Sequence, residues 1–208
     1  MSQPVTAIFG GTFDPVHLGH IGIADAVLAA GAADAIVFMP ARIPPHKRGR
    51  QISSGTMRLE MLRLAIADRS AFQLSDWELT RDQVSYTWHT ASRFATEYGD
   101  RLRLLIGMDS LVDLPNWYRA DELVRDYRFI IYRRPDSPPP PDALLVERFG
   151  RAGANALLAS IIDGPTFGVS STEIRRRCSA GESVVGLLPD AVATYVAENQ
   201  LYKQTENS

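Results

Sequence analysis

The segment GGTFDPVHLGH, Gly10 to His20, constrains the fold of this chain more than any other feature. It follows a short apolar run, Val5 to Phe9, that predicts a buried strand, and it leads into an alanine-rich run, Ile21 to Ala30, that predicts a helix. Glycines allow close approach of the backbone, and a helix N-terminus offers free N–H groups to an anion. A strand, a glycine turn and a helix in this order therefore predict a site for a nucleotide phosphate.

Two histidines stand at the expected start of this helix. His17 and His20 are three residues apart, so on a first helical turn they share a face and reach the same anion. A zinc site is the alternative, but it needs four ligands. The chain offers three more, none at finger-like spacing: His46, His89 and Cys178. An ordinary helix start with incidental histidines is the other alternative, and Gly19, which keeps bulk away from both rings, favours the phosphate.

Length and composition predict one soluble domain over residues 1–208. Hydrophobic residues make up 45% and charged residues 22% of the 208 residues, as in ordinary globular proteins. A net charge of −2 argues against a broad surface for nucleic acid or anionic membranes. The single cysteine, Cys178, can form no intrachain disulfide. The chain shows neither a signal peptide nor an apolar run of membrane-span length, so we expect a cytoplasmic protein. The sequence leaves open whether it is a homo-oligomer.

Strand-like and helix-like runs alternate along the chain. The predicted strands are Val5–Phe9, Ala35–Met39, Phe72–Leu74, Leu102–Ile106, Arg128–Tyr132 and Ala159–Ile162. The predicted helices include Ile21–Ala30, Met57–Asp68, Thr87–Tyr98, Ala143–Ala152 and Pro189–Asn199. This alternation predicts an α/β fold with a doubly wound, mostly parallel sheet, Rossmann-like in class. Ligands in such sheets bind beyond the carboxyl ends of the strands.

Two segments interrupt the alternation. Residues 40–56 are rich in proline, glycine and basic residues and predict a long functional loop, and Pro135 to Pro141 predicts a stiff connector. The loop contains PPHK, Pro44 to Lys47, in which prolines would lower the entropy lost when Lys47 meets an anion. A solvated basic loop is the alternative interpretation.

A second phosphate-binding pattern lies near the other end of the chain, in VSSTEIRRR from Val169 to Arg177. Ser170 and Glu173 fit a capping box, which predicts a helix that starts near Ser171 and stops before Gly181. Its first turn would present three groups to an anion: Ser171, Thr172 and Arg175. The alternative is a well-capped surface helix with solvated arginines.

Aromatic residues and one acidic residue complete the candidate set. Trp117 and Tyr118 follow Pro115 in a loop context where a flat ring can stack, although aromatic side chains more often belong to the core. Asp109 follows the strand that ends before Gly107, where it could accept hydrogen bonds from a ribose or an adenine amino group. A helix N-cap is the alternative role for Asp109.

GGTFDPVHLGH with the distal SSTEIR resembles the nucleotidylyltransferase superfamily, whose signatures are an HxGH motif and an ISSTxIR-like motif. PPHK, SYT at Ser85–Thr87, GMDSL at Gly107–Leu111 and Trp117 make the chain similar to the bacterial nicotinate-mononucleotide adenylyltransferases within it. The resemblance runs from about Val5 to Arg175. Val169 stands where the family often has isoleucine, and the proline run is longer than expected.

The resemblance implies transfer of the adenylyl group of ATP to nicotinate mononucleotide. It implies catalytic roles for His17, His20, Lys47 and Arg175. It implies ATP contacts at Gly10, Gly11, Thr12, Phe13, Gly107, Asp109, Ser171 and Thr172. It implies contacts to nicotinate mononucleotide at Thr87, Trp117 and Tyr118. Mg²⁺ is expected to arrive with ATP and to keep water and phosphate ligands, so no protein ligand is assigned to it.

Rival functions remain at this stage. A phosphopantetheine adenylyltransferase would share the ATP half of the site but lack the PPHK, SYT and Trp117–Tyr118 features. A non-catalytic nucleotide sensor could use the same fold. A classical dehydrogenase and a P-loop enzyme are disfavoured, because neither GxGxxG nor GxxxxGK[ST] occurs. Sequence alone separates nicotinate from nicotinamide mononucleotide only weakly, since backbone N–H groups leave no side-chain pattern.

Overall fold

A computed structural model describes residues 4–42 and 52–203 of the chain. Its strands are β1 (Thr6–Gly11), β2 (Ala35–Pro40), β3 (Phe72–Leu74), β4 (Leu102–Gly107), β5 (Arg128–Arg133) and β6 (Ile161–Asp163). The first helices are α1 (Leu18–Ala29), α2 (Gly55–Ala65), α3 (Thr87–Tyr98) and α4 (Met108–Asp113). They are followed by α5 (Ala120–Asp126), α6 (Asp142–Ala159), α7 (Ser171–Ser179) and α8 (Asp190–Glu198).

All six strands are parallel, in the order β3-β2-β1-β4-β5-β6. The α/β, doubly wound prediction is thereby confirmed. The strand order reverses at β1, which pairs with β2 on one side and β4 on the other. Gly11 lies opposite Pro40, and Phe9 lies opposite Leu105, so the three strands end at the same edge. A ligand crevice is expected at this reversal point.

Helices cover both faces of the sheet because side chains alternate along each strand. Ala7 and Phe9 of β1 join a core cluster with α1, α2, α7 and α8. Ile8, between them in sequence, packs on the opposite face with Phe94 of α3. A further cluster on that face buries apolar side chains of α4, α5 and α6. No helix in the described ranges is long and apolar enough to cross a membrane.

Several predicted boundaries were wrong, each for a local reason. Helix α1 begins at Leu18 rather than Ile21, since His17 serves as its N-cap. Pro189 is likewise the N-cap of α8 and not part of its first turn. Ala159 belongs to α6 instead of the last strand. Helix α6 extends beyond the predicted Ala152, with a break at Gly150, whose φ of 71° is non-helical.

Two short helices, α4 and α5, were not predicted at all. Each is seven residues or fewer, so neither shows enough apolar repeats for a periodic pattern. Both are fixed by burial of a few side chains, such as Leu111 and Leu123. Residues 135–141 form neither helix nor strand between β5 and α6, as the proline run predicts.

Phe38 provides a test of the core beneath the glycine turn. Its ring is fully buried and packs against the rings of Phe9, Phe13 and Phe72 at centroid distances of 5.6, 5.8 and 5.3 Å. We expect Phe38→Ala to lower the free energy of unfolding by about 3–5 kcal/mol, because removal of the Phe38 ring would leave a cavity among its neighbours. Urea unfolding measures this change. Val185→Ala is the control: Val185 is 87% exposed, and its truncation should change stability by less than about 0.5 kcal/mol.

Candidate active site

His17 and His20 lie together at the N-terminus of α1. Their rings are stacked, with centroids 3.7 Å apart and planes inclined by 26°. His17 is the extended N-cap residue, and His20 occupies the third helical position. The predicted proximity is therefore present, although only His20 lies inside the helix.

The hydrogen bonding of His20 fixes which ring nitrogen can donate. The backbone N–H of His17 donates to Nδ1 of His20 over 3.2 Å. An accepting Nδ1 carries no proton, so the neutral ring carries its proton on Nε2. His20 can therefore donate one directed hydrogen bond from Nε2 to an anion at the helix N-terminus.

His17 is buried at this helix start, with 7% of its surface exposed. Its Nδ1 has no hydrogen-bond partner among the described residues. Burial lowers the pKa of His17 to about 4, and a hydrogen bond with the backbone, which raises the pKa, offsets only part of this effect. The imidazole is therefore neutral at pH 7. Gly19 is required beside it, because a Cβ there would stand 3.0 Å from both His17 Nδ1 and Val169 Cγ1.

The N-terminus of α7 abuts the turn that precedes His17. Ser170 caps the helix by accepting a hydrogen bond from the Glu173 N–H over 3.2 Å, as the capping box predicts. Arg175 donates from Nη1 to the Asp14 carbonyl over 2.7 Å, and from Nη2 to Thr172 Oγ1 over 3.3 Å. Two helix N-termini with anion-binding side chains thus meet at one turn.

Ser171 uses its hydroxyl differently from the prediction that it grips a phosphate. Its Oγ–H donates to the Pro15 carbonyl over 2.9 Å and so ties α7 to the turn. The anion-binding groups left to the first turn of α7 are the hydroxyl of Thr172, the guanidinium of Arg175 and the backbone amides.

Phe13 and Gly11 support the turn from within. Phe13 has a left-handed φ of 50°, is 1% exposed and packs its ring 4.9 Å from that of His20. A Cβ at Gly11 would stand 2.9 Å from the Phe13 ring, whereas a Cβ at Gly10 would meet nothing within 4 Å. Gly11 thus makes room for a protein side chain, and Gly10 leaves its surface open to a ligand.

A cavity of about 380 Å³ opens beside the turn, between β1, β4 and the start of α3. Its lining includes seven of the predicted site residues, six of which are Gly10, Gly11, Thr12, Thr87, Trp117 and Tyr118. Gly107, the N-cap of α4, lines it as well. Trp117 is held in place by donating from Nε1 to Asp113 over 3.2 Å. Tyr118 stacks on Tyr86, with ring centroids 4.8 Å apart.

Asp109 lies apart from this cavity lining, in the first turn of α4. Its carboxylate is 85% exposed and pairs with Arg134 Nη2 at 3.1 Å. The alternative that Asp109 caps the helix was wrong, because Gly107 is the N-cap. The carboxylate of Asp109 is thus exposed to solvent beside the end of β4.

The remaining predictions concern Lys47 and protein ligands for a metal ion. Lys47 and the PPHK motif lie outside the described residues. Within residues 4–42 and 52–203, no group of three or more histidine, cysteine or acidic side chains is arranged to hold a metal ion.

Sequence reasoning missed several residues of the site. Glu78 is 8% exposed, lines the cavity and accepts a hydrogen bond from Thr90 Oγ1, and burial raises the pKa of its carboxyl. Arg58 lies on the buried face of α2 with Met61 and Leu62. A charged residue at a core position of a helical repeat could have revealed Arg58, since such groups are almost always paired. Glu78 has no comparable pattern.

The buried state of His17 has a consequence for stability. Because its pKa is about 4 when folded and about 6.5 when unfolded, the unfolded chain binds the extra proton between these values, and stability falls as the pH falls. From pH 7 to pH 5 the wild type should lose about 2 kcal/mol more than His17→Asn, in which this proton site is absent. Urea unfolding at both pH values measures the difference. Equal losses in the two proteins would contradict the buried, neutral state.

Comparisons with known proteins agree with this geometry. The cytidylyltransferase-like family model matches residues 8–177. A relative from Bacillus subtilis, nicotinate-nucleotide adenylyltransferase, is 40% identical over 201 residues, covering 94% of this chain and 97% of its own length. A probable nicotinate-nucleotide adenylyltransferase from Symbiobacterium thermophilum is 38% identical over 203 residues, covering 97% and 96%.

A solved structure extends the likeness to the fold. The Plasmodium falciparum nicotinic acid mononucleotide adenylyltransferase complexed with NaAD superposes with a TM-score of 0.75, at 18% identity and over 95% of this chain and 96% of that one. The family match, the near-complete coverage and the shared fold agree with one another. The chain belongs to the cytidylyltransferase-like family, among the nicotinate-nucleotide adenylyltransferases.

Proposed function

We propose that this protein transfers the adenylyl group of ATP to nicotinate mononucleotide, giving nicotinate adenine dinucleotide and pyrophosphate. The observation that carries the proposal is the meeting of two helix N-termini, those of α1 and α7, at one turn beside an aromatic-lined cavity. The two N-termini suit a polyphosphate, and the cavity suits a flat ring. The names of the relatives at 38–40% identity support the same reaction.

The reaction needs positioning more than proton transfer. An oxygen of the 5′-phosphate of nicotinate mononucleotide attacks the α-phosphorus of ATP, while the bond from that phosphorus to the bridging oxygen of pyrophosphate breaks. An ionised phosphate is already a nucleophile, so no general base is required. The protein contributes alignment and charge stabilisation at the transferring phosphate. Magnesium enters with ATP as part of the substrate.

His20 is the residue best placed to stabilise the transferring phosphate. Its Nε2–H is a preset donor, because Nδ1 is already occupied by the His17 N–H. Neutral, buried His17 packs against it and holds the ring plane. Thr172 and Arg175 would hold the β- and γ-phosphates from α7, and Lys47 would add charge from the loop.

The cavity provides two features for nicotinate. The indole of Trp117 offers a flat surface that is already oriented. Helix α3 starts at Thr87 in the cavity wall, and its N-cap, Tyr86, makes no side-chain capping hydrogen bond. A carboxylate placed there would meet amide N–H groups and the positive end of the helix dipole. An uncharged carboxamide would gain less, which favours nicotinate over nicotinamide.

The proposed function is tested by supplying acceptors separately. Purified protein with MgATP receives nicotinate mononucleotide, nicotinamide mononucleotide or phosphopantetheine, and products are resolved by mass with pyrophosphate measured in parallel. We expect nicotinate adenine dinucleotide with stoichiometric pyrophosphate, and less product from the amide. Dephospho-coenzyme A as the main product, or ATP binding without turnover of any acceptor, would overturn the proposal.

Variants of His20 distinguish the roles of its two ring nitrogens. His20→Ala should lower kcat by about 10²- to 10³-fold, the usual effect of removing one preset donor to a transition-state oxygen. His20→Asn places an acceptor near the Nδ1 position and keeps the bond from His17, but it lacks the distal donor, so it should lose as much. His20→Gln places an N–H near Nε2 and should recover part of the rate. Steady-state kinetics at saturating MgATP measure all three, and equal activity of the Asn and wild-type enzymes would contradict the role.

Trp117 is expected to act on substrate binding. Stacking of a base on an aromatic side chain contributes about 1–3 kcal/mol, so Trp117→Ala should raise KM for nicotinate mononucleotide by roughly tenfold or more. The KM for ATP should change little. Trp117→Phe keeps a flat ring and should retain most of the affinity. A rise in the KM for ATP alone would show that Trp117 faces the other nucleotide.

A further inference from the structure

We propose that Tyr202, on the segment after α8, is a positioning residue for adenylyl transfer, acting through Asp14 on Arg175 and His17. This inference rests on the proposed function and extends it to residues outside the substrate cavity. The residues involved form a polar group behind the catalytic turn, with Asp14 and Arg58 buried and Ser53 and Tyr202 partly buried. This group is here called the Asp14 clasp.

Both carboxylate oxygens of Asp14 are engaged from distant parts of the chain. Tyr202 Oη donates to Oδ1 over 2.7 Å, and the Ser53 N–H donates to Oδ2 over 3.3 Å. Asp14 itself is 2% exposed. Burial, and then the negative charge of Asp14, raise the pKa of the Tyr202 phenol well above its usual range, so the hydroxyl keeps its proton and donates.

Arg58 closes the clasp from α2. It is 1% exposed and donates from Nη1 to the carbonyls of Thr12 and Ala41, each over 2.8 Å, and from Nε to the Ser53 carbonyl over 3.0 Å. Burial lowers the pKa of Arg58, and the negative charge of Asp14 opposes this effect. A guanidinium buried to this degree requires a nearby carboxylate, and Asp14 supplies it.

The backbone of Asp14 connects the clasp to the phosphate-binding residues. Its carbonyl accepts the hydrogen bond from Arg175 Nη1, and the next carbonyl, that of Pro15, accepts the one from Ser171. His17 follows two residues after Pro15. The side chain of Asp14 thus faces Tyr202, while the backbone carbonyl of Asp14 orients the guanidinium of Arg175. We place this guanidinium on the phosphates of ATP. Loss of the Tyr202 hydroxyl would release the turn on one side and let Arg175 and His17 shift together.

The backbone after α8 is held in an unfavourable conformation at the clasp. Tyr202 has a left-handed φ of 64°, although it is not glycine; Gln200, with a φ of 51°, has the left-handed conformation that is usual just past a helix end. Such conformations persist where surrounding contacts hold them, and they concentrate at functional sites. Core packing of α8 is provided elsewhere, by Val192 and Val196. The ring of Tyr202 packs against this core too, so the contact that distinguishes Tyr202 is the hydrogen bond from its hydroxyl to Asp14.

The test compares Tyr202→Phe with Tyr195→Phe. Both rings pack against the same core cluster and both variants remove one phenolic hydroxyl, but the hydroxyl of Tyr202 donates to Asp14, whereas Tyr195 lies on α8. We expect Tyr202→Phe to lower kcat about tenfold, since small misplacements of catalytic groups reduce rates by up to about 10²-fold. The KM for nicotinate mononucleotide should stay unchanged, because neither Asp14 nor Tyr202 lines the cavity. Tyr195→Phe should match the wild type. Circular dichroism and thermal unfolding confirm that both variants are folded.

A double-mutant cycle separates positioning from a general structural effect. Because Tyr202 acts in part through Arg175, Tyr202→Phe should lower kcat by clearly less than tenfold in an Arg175→Ala background. A full tenfold effect in that background, or a wild-type kcat for Tyr202→Phe alone, would overturn the proposal. If Tyr202→Phe does not fold, Asp14→Asn takes its place, because Tyr202 and Ser53 donate to different oxygens of Asp14 and the NH₂ group of an amide cannot accept either bond.

A binding measurement keeps this inference separate from the proposed function. Calorimetric titration with a non-hydrolysable ATP analogue and Mg²⁺ needs no acceptor and no turnover. We expect Tyr202→Phe to lower the affinity for the analogue several-fold, because Arg175 is displaced. Tyr195→Phe should leave this affinity unchanged. If the wild type binds the analogue but makes no dinucleotide, the proposed function fails and the analogue affinities alone decide the role of Tyr202. Equal affinities of Tyr202→Phe and Tyr195→Phe for the analogue would then overturn the positioning role of Tyr202.

Discussion

Parallel pairing of β1 with both β2 and β4 is the constraint on which the site depends. It places the carboxyl ends of three strands at one edge, with Gly11 opposite Pro40 and Phe9 opposite Leu105. After β1 the chain turns to α1 on one face, and after β4 it turns to α4 on the other. The cavity lies between the ends of these two strands: the turn that leads to α1 and Gly107, the N-cap of α4, both line it.

Main-chain carbonyls of the turn after β1 are the anchors of the surrounding parts. Arg58 holds Thr12, Arg175 holds Asp14, and Ser171 holds Pro15. A hydrogen bond from a charged donor to a buried carbonyl is stronger than a neutral one and leaves no acceptor unsatisfied. The turn is thereby fixed from α2 and α7 at once. The neutral ring of His17 and the oriented ring of His20 suit a reaction that depends on alignment.

Much of the fold could be predicted because its long elements carry regular patterns. Helix α3 was predicted at Thr87–Tyr98, and the strand centres and the capping of α7 by Ser170 were also predicted correctly; the Glu173 carboxylate of the predicted capping box instead pairs with Arg176 and Arg177. The elements missed were short ones, α4 and α5, whose formation depends on burial against β4 and β5 rather than on local repeats. For the site, the motifs identified the turn, the two helix starts and the aromatic pair. They did not identify Glu78, Arg58 or Tyr202, whose roles arise from contacts with distant residues.

The sequence by itself determined which residues could do chemistry and roughly where the longer helices and the strands lie, because capping, glycine turns and apolar periodicity act between near neighbours. Only the tertiary structure decided the protonation and the hydrogen-bond partners of those residues. Burial makes His17 neutral, and the bond from its backbone leaves the proton of His20 on Nε2. Asp14 meets Arg175 across 161 residues and Tyr202 across 188. Burial and such pairings depend on strand order and packing, which no local pattern contains.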